Sequence, residues 1–231
     1  MLVEPEISGV TIVLVGSLNP RIFTPDWFAR HGLILGEESD KAEIEIVHRH
    51  ITKFRADWLN IQVEDERFQA ITTEAPYIRL HDLIVRTFRD FLSHTPLTKL
   101  GINREIHFNV GSQEARDQIG HRLAPPKVWG DWAPMITAGK GERQGGMVSL
   151  TMLQREVDDR PKGYIKAKVE PSMRIKGLSG VYVEVNDHYE IENPDKVSGC
   201  EEIISLLEAH FEASIQRSEW IIDQVARLKN A

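Results

Sequence analysis

Asn186, Asp187 and His188 stand side by side in "VEVNDHYEI" (183–191). An acid beside an imidazole is the pairing that general acid–base catalysis and metal binding both use. The stretch alternates like a strand, however, and neighbours on a strand point to opposite faces. Asp187 and His188 therefore reach one ion only across a bulge. The triplet also reads as a strand end, where Asn and Asp bond their own backbone. A second candidate is "VHRH", which sets His48 and His50 on one strand face at a spacing that two-histidine metal sites use. By the same alternation His107 falls on the opposite side, so a third ligand is missing, and no metal or cofactor is expected.

"GINREIHF" brings together Asn103, Arg104 and His107. Arg104 shares its parity with Ile106, Phe108 and Val110, which draws it toward a buried layer. A buried guanidinium requires an acid or carbonyl partner. The plain reading is an ion pair at a structural join; the sharper one is a cleft that holds a carboxylate or phosphate. Cys200 precedes the last helix, where the helix dipole lowers a thiol pKa, but no histidine is near it in sequence. The serine-elbow, phosphate-loop and dinucleotide patterns are absent. "AGKGERQGG" is Gly-rich and basic, yet it lacks the G-K-[ST] ending of a phosphate cradle and reads as a loop.

That loop belongs to the longest irregular segment, Ala124 to Gly146, which carries Trp129, Trp132 and Met135. Loops of this length without regular structure usually have a role, and exposed Trp and Met anchor protein partners. The competing reading folds both indoles back onto the core as a lid.

These residues are positioned by a simple order of elements. "TIVLVGSL" reads as a strand, and "TPDWFARHG" as a helix capped by Thr24, opened by Pro25 and stopped by Gly32. "AEIEIVHRHITKF", "DWLNIQVED" and "RFQAITT" read as three strands, and a helix follows Pro76. The second half gives the strand "INREIHFNV", a helix capped by Ser112, three more strands and a helix from Gly199 to Leu228. That final helix is longer than one sheet face usually needs, so its last turns are available to a partner or a second copy. The expected fold is α+β: two pseudo-repeats, residues 1–96 and 97–231, of strand–helix–three strands–helix. They form an antiparallel curved sheet with the helices on one face. The short echoes "LNIQVE" with "IKAKVE" and "VEDERF" with "VNDHYE" agree with duplication.

Alternation leaves one sheet face open. It assigns Glu43, Glu45 and Arg49 to that face, with Asn60, Gln62 and Glu64, then Asn103, Glu105, His107 and Asn109. Ser149, Thr151, Lys166, Lys168, Glu170, Tyr182, Glu184 and Asn186 complete it. Acids outnumber bases in this set, and only Tyr182 offers an aromatic platform. A nucleic-acid saddle needs the reverse charge balance, so nucleic acid is not the expected partner.

The element order resembles the TATA-binding-protein-like, or helix-grip, architecture. At the level of sequence, "LTKLGINREIHFNV", "IGHRLAP" ahead of a Trp, "VEPS" and "VEVNDHYE" resemble a sporadically distributed bacterial family with no assigned activity. The resemblance runs from about Val10 to the C-terminal helix. It implies no catalytic residues, and it implies an accessory role in mobile or defence-type gene sets.

Composition agrees with a globular protein: 231 residues, 41% hydrophobic, 27% charged, net charge -7 and one cysteine. One cysteine excludes an internal disulfide framework. No apolar run approaches the ~18 residues of a membrane span, and "MLVEPEISG" has acids where a signal peptide has bases. A cytoplasmic, non-enzymatic protein-binding or regulatory protein is expected, antitoxin-like or chaperone-like, with a protein partner or a second copy engaged through Trp129, Trp132, Met135 and Tyr182. The rivals are a metal-dependent or other hydrolase using His48 and His50 or Asp187 and His188, and a nucleic-acid-binding saddle.

Overall fold

A computed structural model describes residues 2–139, 141, 144–160 and 162–229. The first strand is β1 (Ile7–Gly16). Its apolar Val10, Ile12 and Leu14 are fully buried, and the residues between them line the opposite face. Helix α1 (Pro25–Arg30) follows, with the Thr24 hydroxyl accepting from the Trp27 N–H at 3.2 Å. This is the N-cap that the sequence signals. A short α2 (Gly36–Asp40) leads into four strands: β2 (Glu43–His48), β3 (Ile51–Ala56), β4 (Leu59–Glu64) and β5 (Arg67–Thr72). Helix α3 (Ile78–Arg86) closes this half with a π turn over Thr87–Phe91, and buries Leu80, Leu83, Ile84 and Phe88.

The second half opens with the long β6 (Leu97–Asn109) and α4 (Gln113–Leu123), whose cap Ser112 accepts from the Ala115 N–H. A 3-10 turn (Pro126–Trp132) and a single-turn α5 (Ala133–Ile136) occupy the irregular segment. Strands β7 (Leu150–Gln154), β8 (Lys162–Pro171) and β9 (Gly180–Glu190) precede α6 (Glu201–Arg227). All nine strands join one antiparallel curved sheet in the order β2-β3-β4-β5-β1-β6-β9-β8-β7.

Three sequence expectations change. "AEIEIVHRHITKF" is a hairpin rather than one strand: Arg49 and His50 form the turn, and His48 pairs with Ile51. Within it the register shifts between Ile44 and Ile46. This bulge reverses the alternation, so Ile46 and His48 share the face of Glu43, and Ile44 and Val47 take the other. His107 therefore lies on the same face as His48, not the opposite one, but five strands away. That is about 24 Å at ~4.8 Å per strand. Finally, Asn186, Asp187 and His188 sit inside β9 rather than at its end.

The length of α6 has an internal cause. Its first turns bury Ile203, Ile204, Leu207 and Phe211 in a core shared with α1, α3 and strands β1 and β3 to β6. Its last turns bury Ile222, Val225 and Ala226 in a second core with β6, β8, β9 and Ile119 of α4. One 27-residue helix, about 40 Å long, thus spans both cores, and packing on the second core accounts for its last turns. Only Trp220 among its large apolar side chains points outward, 63% exposed.

Candidate binding surfaces

The cross-strand register arranges the open face in rows. One row reads Lys162, Glu190, Lys99, Val15, Arg67 across β8, β9, β6, β1 and β5. The next reads Tyr164, His188, Gly101, Val13, Gln69, and the third Lys166, Asn186, Asn103, Thr11, Ile71. A fourth holds Lys168, Glu184, Glu105 and Gly9, and a fifth Glu170, Tyr182, His107 and Ile7. The face is nearly balanced in charge, which corrects the acid-rich expectation. Lys53 and Arg55 of β3, Arg67, Lys99 and Lys162 belong to it, Glu45 sits in the bulge against Lys53, and Arg49 is in a turn. A hollow of about 310 Å³ lies at its centre, over Gly101, Asn103 and Asn186.

The members of the triplet have separate roles. Asn186 reaches across to Asn103, its Nδ2 donating to Oδ1, and Asn103 Nδ2 donates to the Thr11 carbonyl at 3.3 Å. His188 lies on the open face, its Nε2 2.8 Å from Glu190 Oε1, and stacks on Tyr164 at 4.5 Å. That hydrogen bond, with Lys99 at 3.4 Å, holds the Glu190 carboxyl below the usual range. No serine, threonine or cysteine shares the row of His188. Asp187 points the other way and is fully buried. It accepts from Arg160 and, at 2.7 Å, from Arg217 of α6; both arginines also bond Asp159. Arg160 lies 3.7 Å over the Tyr189 ring. Burial opposes ionisation of Asp159, but the two arginines outweigh it and its carboxyl sits below the ordinary value. Burial pushes the Tyr189 phenol up, and the adjacent Asp187 adds to this.

The His107 and Tyr182 rings lie tilted against each other, their centroids 4.6 Å apart. The Ser172 hydroxyl accepts from the N–H groups of Arg174 and Ile175, so its own proton goes to His107 Nδ1 at 2.8 Å. Burial, assisted by Arg174, holds the His107 pKa down and keeps the ring neutral. This Ser–His contact fixes a turn. Burial, then the neighbouring carboxylates, raise the Tyr182 phenol, whose hydroxyl donates to Glu184 at 3.1 Å.

Arg104 is drawn into the helix layer. Its side chain is 2% exposed, donates to the carbonyls of Gly9 and Glu105, and lies 3.6 Å from Glu219 of α6. It ties β1, β6 and α6 together. Cys200 is buried against the Phe88 carbonyl, and burial raises its pKa, so the expected dipole effect loses to desolvation. His50 bonds Asp65 at 2.6 Å beside His48 in an exposed turn. Among the described residues no three His, Cys, Asp or Glu side chains converge as a metal site.

The Trp segment does not fold back as a lid. Trp129 and Trp132 are each 56% exposed, Met135 70% and Val128 71%. The two indoles pack edge to face on each other at 5.6 Å. Lys140, Glu142 and Arg143 of the Gly-rich stretch lie outside the described residues. The partners Asp159, Arg160 and Arg217 of the buried network were not singled out from sequence; an acid at a buried strand position was the available signal. Among the described residues no helix is long and apolar enough to cross a membrane. No protein-family model matches this chain, and no curated protein matches it.

Proposed function

We propose that this chain is a non-enzymatic protein-binding protein whose contact surface is the Trp129–Met135 segment. The supporting observation is that two indoles pack on each other and remain half exposed while the nearby core is complete without them. Trp is the residue type most often found at the energetic centre of interfaces, and a contiguous exposed apolar patch marks an interaction site. The enzymatic alternatives are less well supported. Asp187 is committed to two arginines, His188 to Glu190, and Ser172 to its own turn. A nucleic-acid saddle is less well supported because carboxylates interrupt the bases of the open face, Glu190 between Lys162 and Lys99 and the Glu184–Glu105 pair beside Lys168, leaving no continuous basic track.

In finer terms, the reading is an accessory component of a bacterial defence or mobile operon, antitoxin-like or chaperone-like, built from two fused units and acting in the cytoplasm. Inside the extra edge strand β2, the sheet reads β3-β4-β5-β1 on one side against β7-β8-β9-β6 on the other, which supports the fused pair. Co-expression with each neighbouring gene product, followed by hydrogen-exchange footprinting of the complex that forms, tests the reading. Protection centred on 126–136 is expected. Protection elsewhere, with that segment unchanged, overturns it.

A further inference from the structure

The hollow on the open face has features that a solvated sheet surface does not require. Gly101 lies mid-strand in β6, where a glycine weakens a strand. It does not adopt a left-handed backbone, and a Cβ there meets nothing nearer than 3.6 Å. Neither conformation nor crowding demands glycine, in contrast to Gly9, where a Cβ would stand 3.2 Å from Glu105 and 3.3 Å from the Thr72 carbonyl. What Gly101 provides is open space beside His188 and over the two asparagines.

The lining is also incompletely paired. Asn186 Nδ2 gives one proton to Asn103 Oδ1, and Asn103 Nδ2 gives one to the Thr11 carbonyl, so each amide keeps a second N–H with no partner among the described residues. Glu105 and Glu184 stand directly opposite each other, an unfavourable like-charge pair. Lys168 reaches Glu184 at 3.5 Å, while Glu105 has no ion-pair partner among the described residues. Two rows beyond the asparagines, Arg67 and Lys99 flank Val15. Lys99 lies 3.4 Å from Glu190, whereas Arg67 has no ion-pair partner among the described residues. The hollow thus has a cationic end, a floor of amides and an anionic end. From Lys99 to Glu105 it spans about 20 Å, six residues of strand at ~3.3 Å each.

We propose that this hollow binds an extended peptide segment of about six residues, with an acidic side chain at the Arg67 and Lys99 end and a basic one at the Glu105 and Glu184 end. The peptide backbone accepts from the remaining amide protons of the asparagine pair. The charges at the two ends set its direction. This site is separate from the Trp segment and does not depend on its role.

The test titrates the full chain with a blocked peptide bearing lysine at one end and glutamate at the other, its reversed sequence, and a control with glutamine at both ends. One of the two charged peptides is expected to bind about ten-fold more tightly than the control. Arg67→Gln and Glu105→Gln are each expected to erase that advantage. Gly101→Ala is expected to weaken binding while the melting temperature holds or rises, since the added methyl has room and stiffens the strand. Trp129→Ala with Trp132→Ala is expected to leave peptide binding unchanged, which separates this site from the protein-binding surface. Equal binding of all three peptides, or no binding by any, overturns the proposal. So does Gly101→Ala lowering the melting temperature with the peptide still bound.

Discussion

Asp187 is fully buried and accepts from both Arg160 and Arg217, so its removal strands two guanidinium groups. Asp187→Ala is expected to cost about 3–5 kcal/mol, the range for breaking a buried pair from one side, read by urea unfolding. His188→Ala, on the open face, is expected to cost well under half of that and to abolish no reaction. Acid lowers stability in two stages. His107 is held neutral, so its contribution is complete above the ordinary histidine value of about 6.5 and fades as pH falls below it. Asp159 and Glu190 have depressed pKa values, so their contribution is complete above about pH 4 and is lost as pH falls through their folded values. Melting temperature measured from pH 8 to 3 is expected to decline twice, and His107→Asn to remove the first decline. The opposite facing of Asp187 and His188 was legible because alternation on a strand is geometric. Their partners were not: Arg160 and Arg217 lie 27 and 30 residues from Asp187, and only the fold brings them to it.

Elements with local chemical signals were read correctly. Thr24 and Ser112 cap helices because their hydroxyls satisfy N–H groups that have no intrahelical partner. The β2–β3 hairpin was missed because "AEIEIVHRHITKF" alternates throughout. Its turn, Arg49 and His50, also lacks the Gly or Asn that marks a tight hairpin. The bulge at Glu45 was equally silent. The length of α6 suggested a free end, whereas Ile222 and Val225 are packed in the second core. Ile222→Ala is expected to cost about 2–5 kcal/mol as a buried large-to-small change, whereas Trp220→Ala is expected to stay within about 0.5 kcal/mol. Chemical denaturation of the two variants checks both.

At the scale of the whole molecule, one sheet meets two environments. Its inner face is covered by α1, α3, α4 and α6 over two cores joined by the Arg104–Glu219 and Asp187–Arg217 contacts. Its outer face is open, polar and nearly charge-balanced. The α+β class and the single helix layer followed from hydrophobic patterning, because burial on one side imposes a period of two on the inner strands, whereas the edge strands β2 and β7 are largely exposed. Which open-face side chains become neighbours depended on strand order and register, which no single stretch of sequence carries. The Trp segment carries the exposed apolar cluster that the proposed function assigns to a protein partner. The direct measurement is the affinity of the purified chain for the protein that forms a complex with it, by calorimetry, for the native chain and for Trp129→Ala with Trp132→Ala. A loss of about 100-fold or more, the scale of a lost hot spot, with an unchanged melting temperature is the predicted result. Undiminished affinity, or a collapse in melting temperature that shows the indoles to be structural, would contradict it.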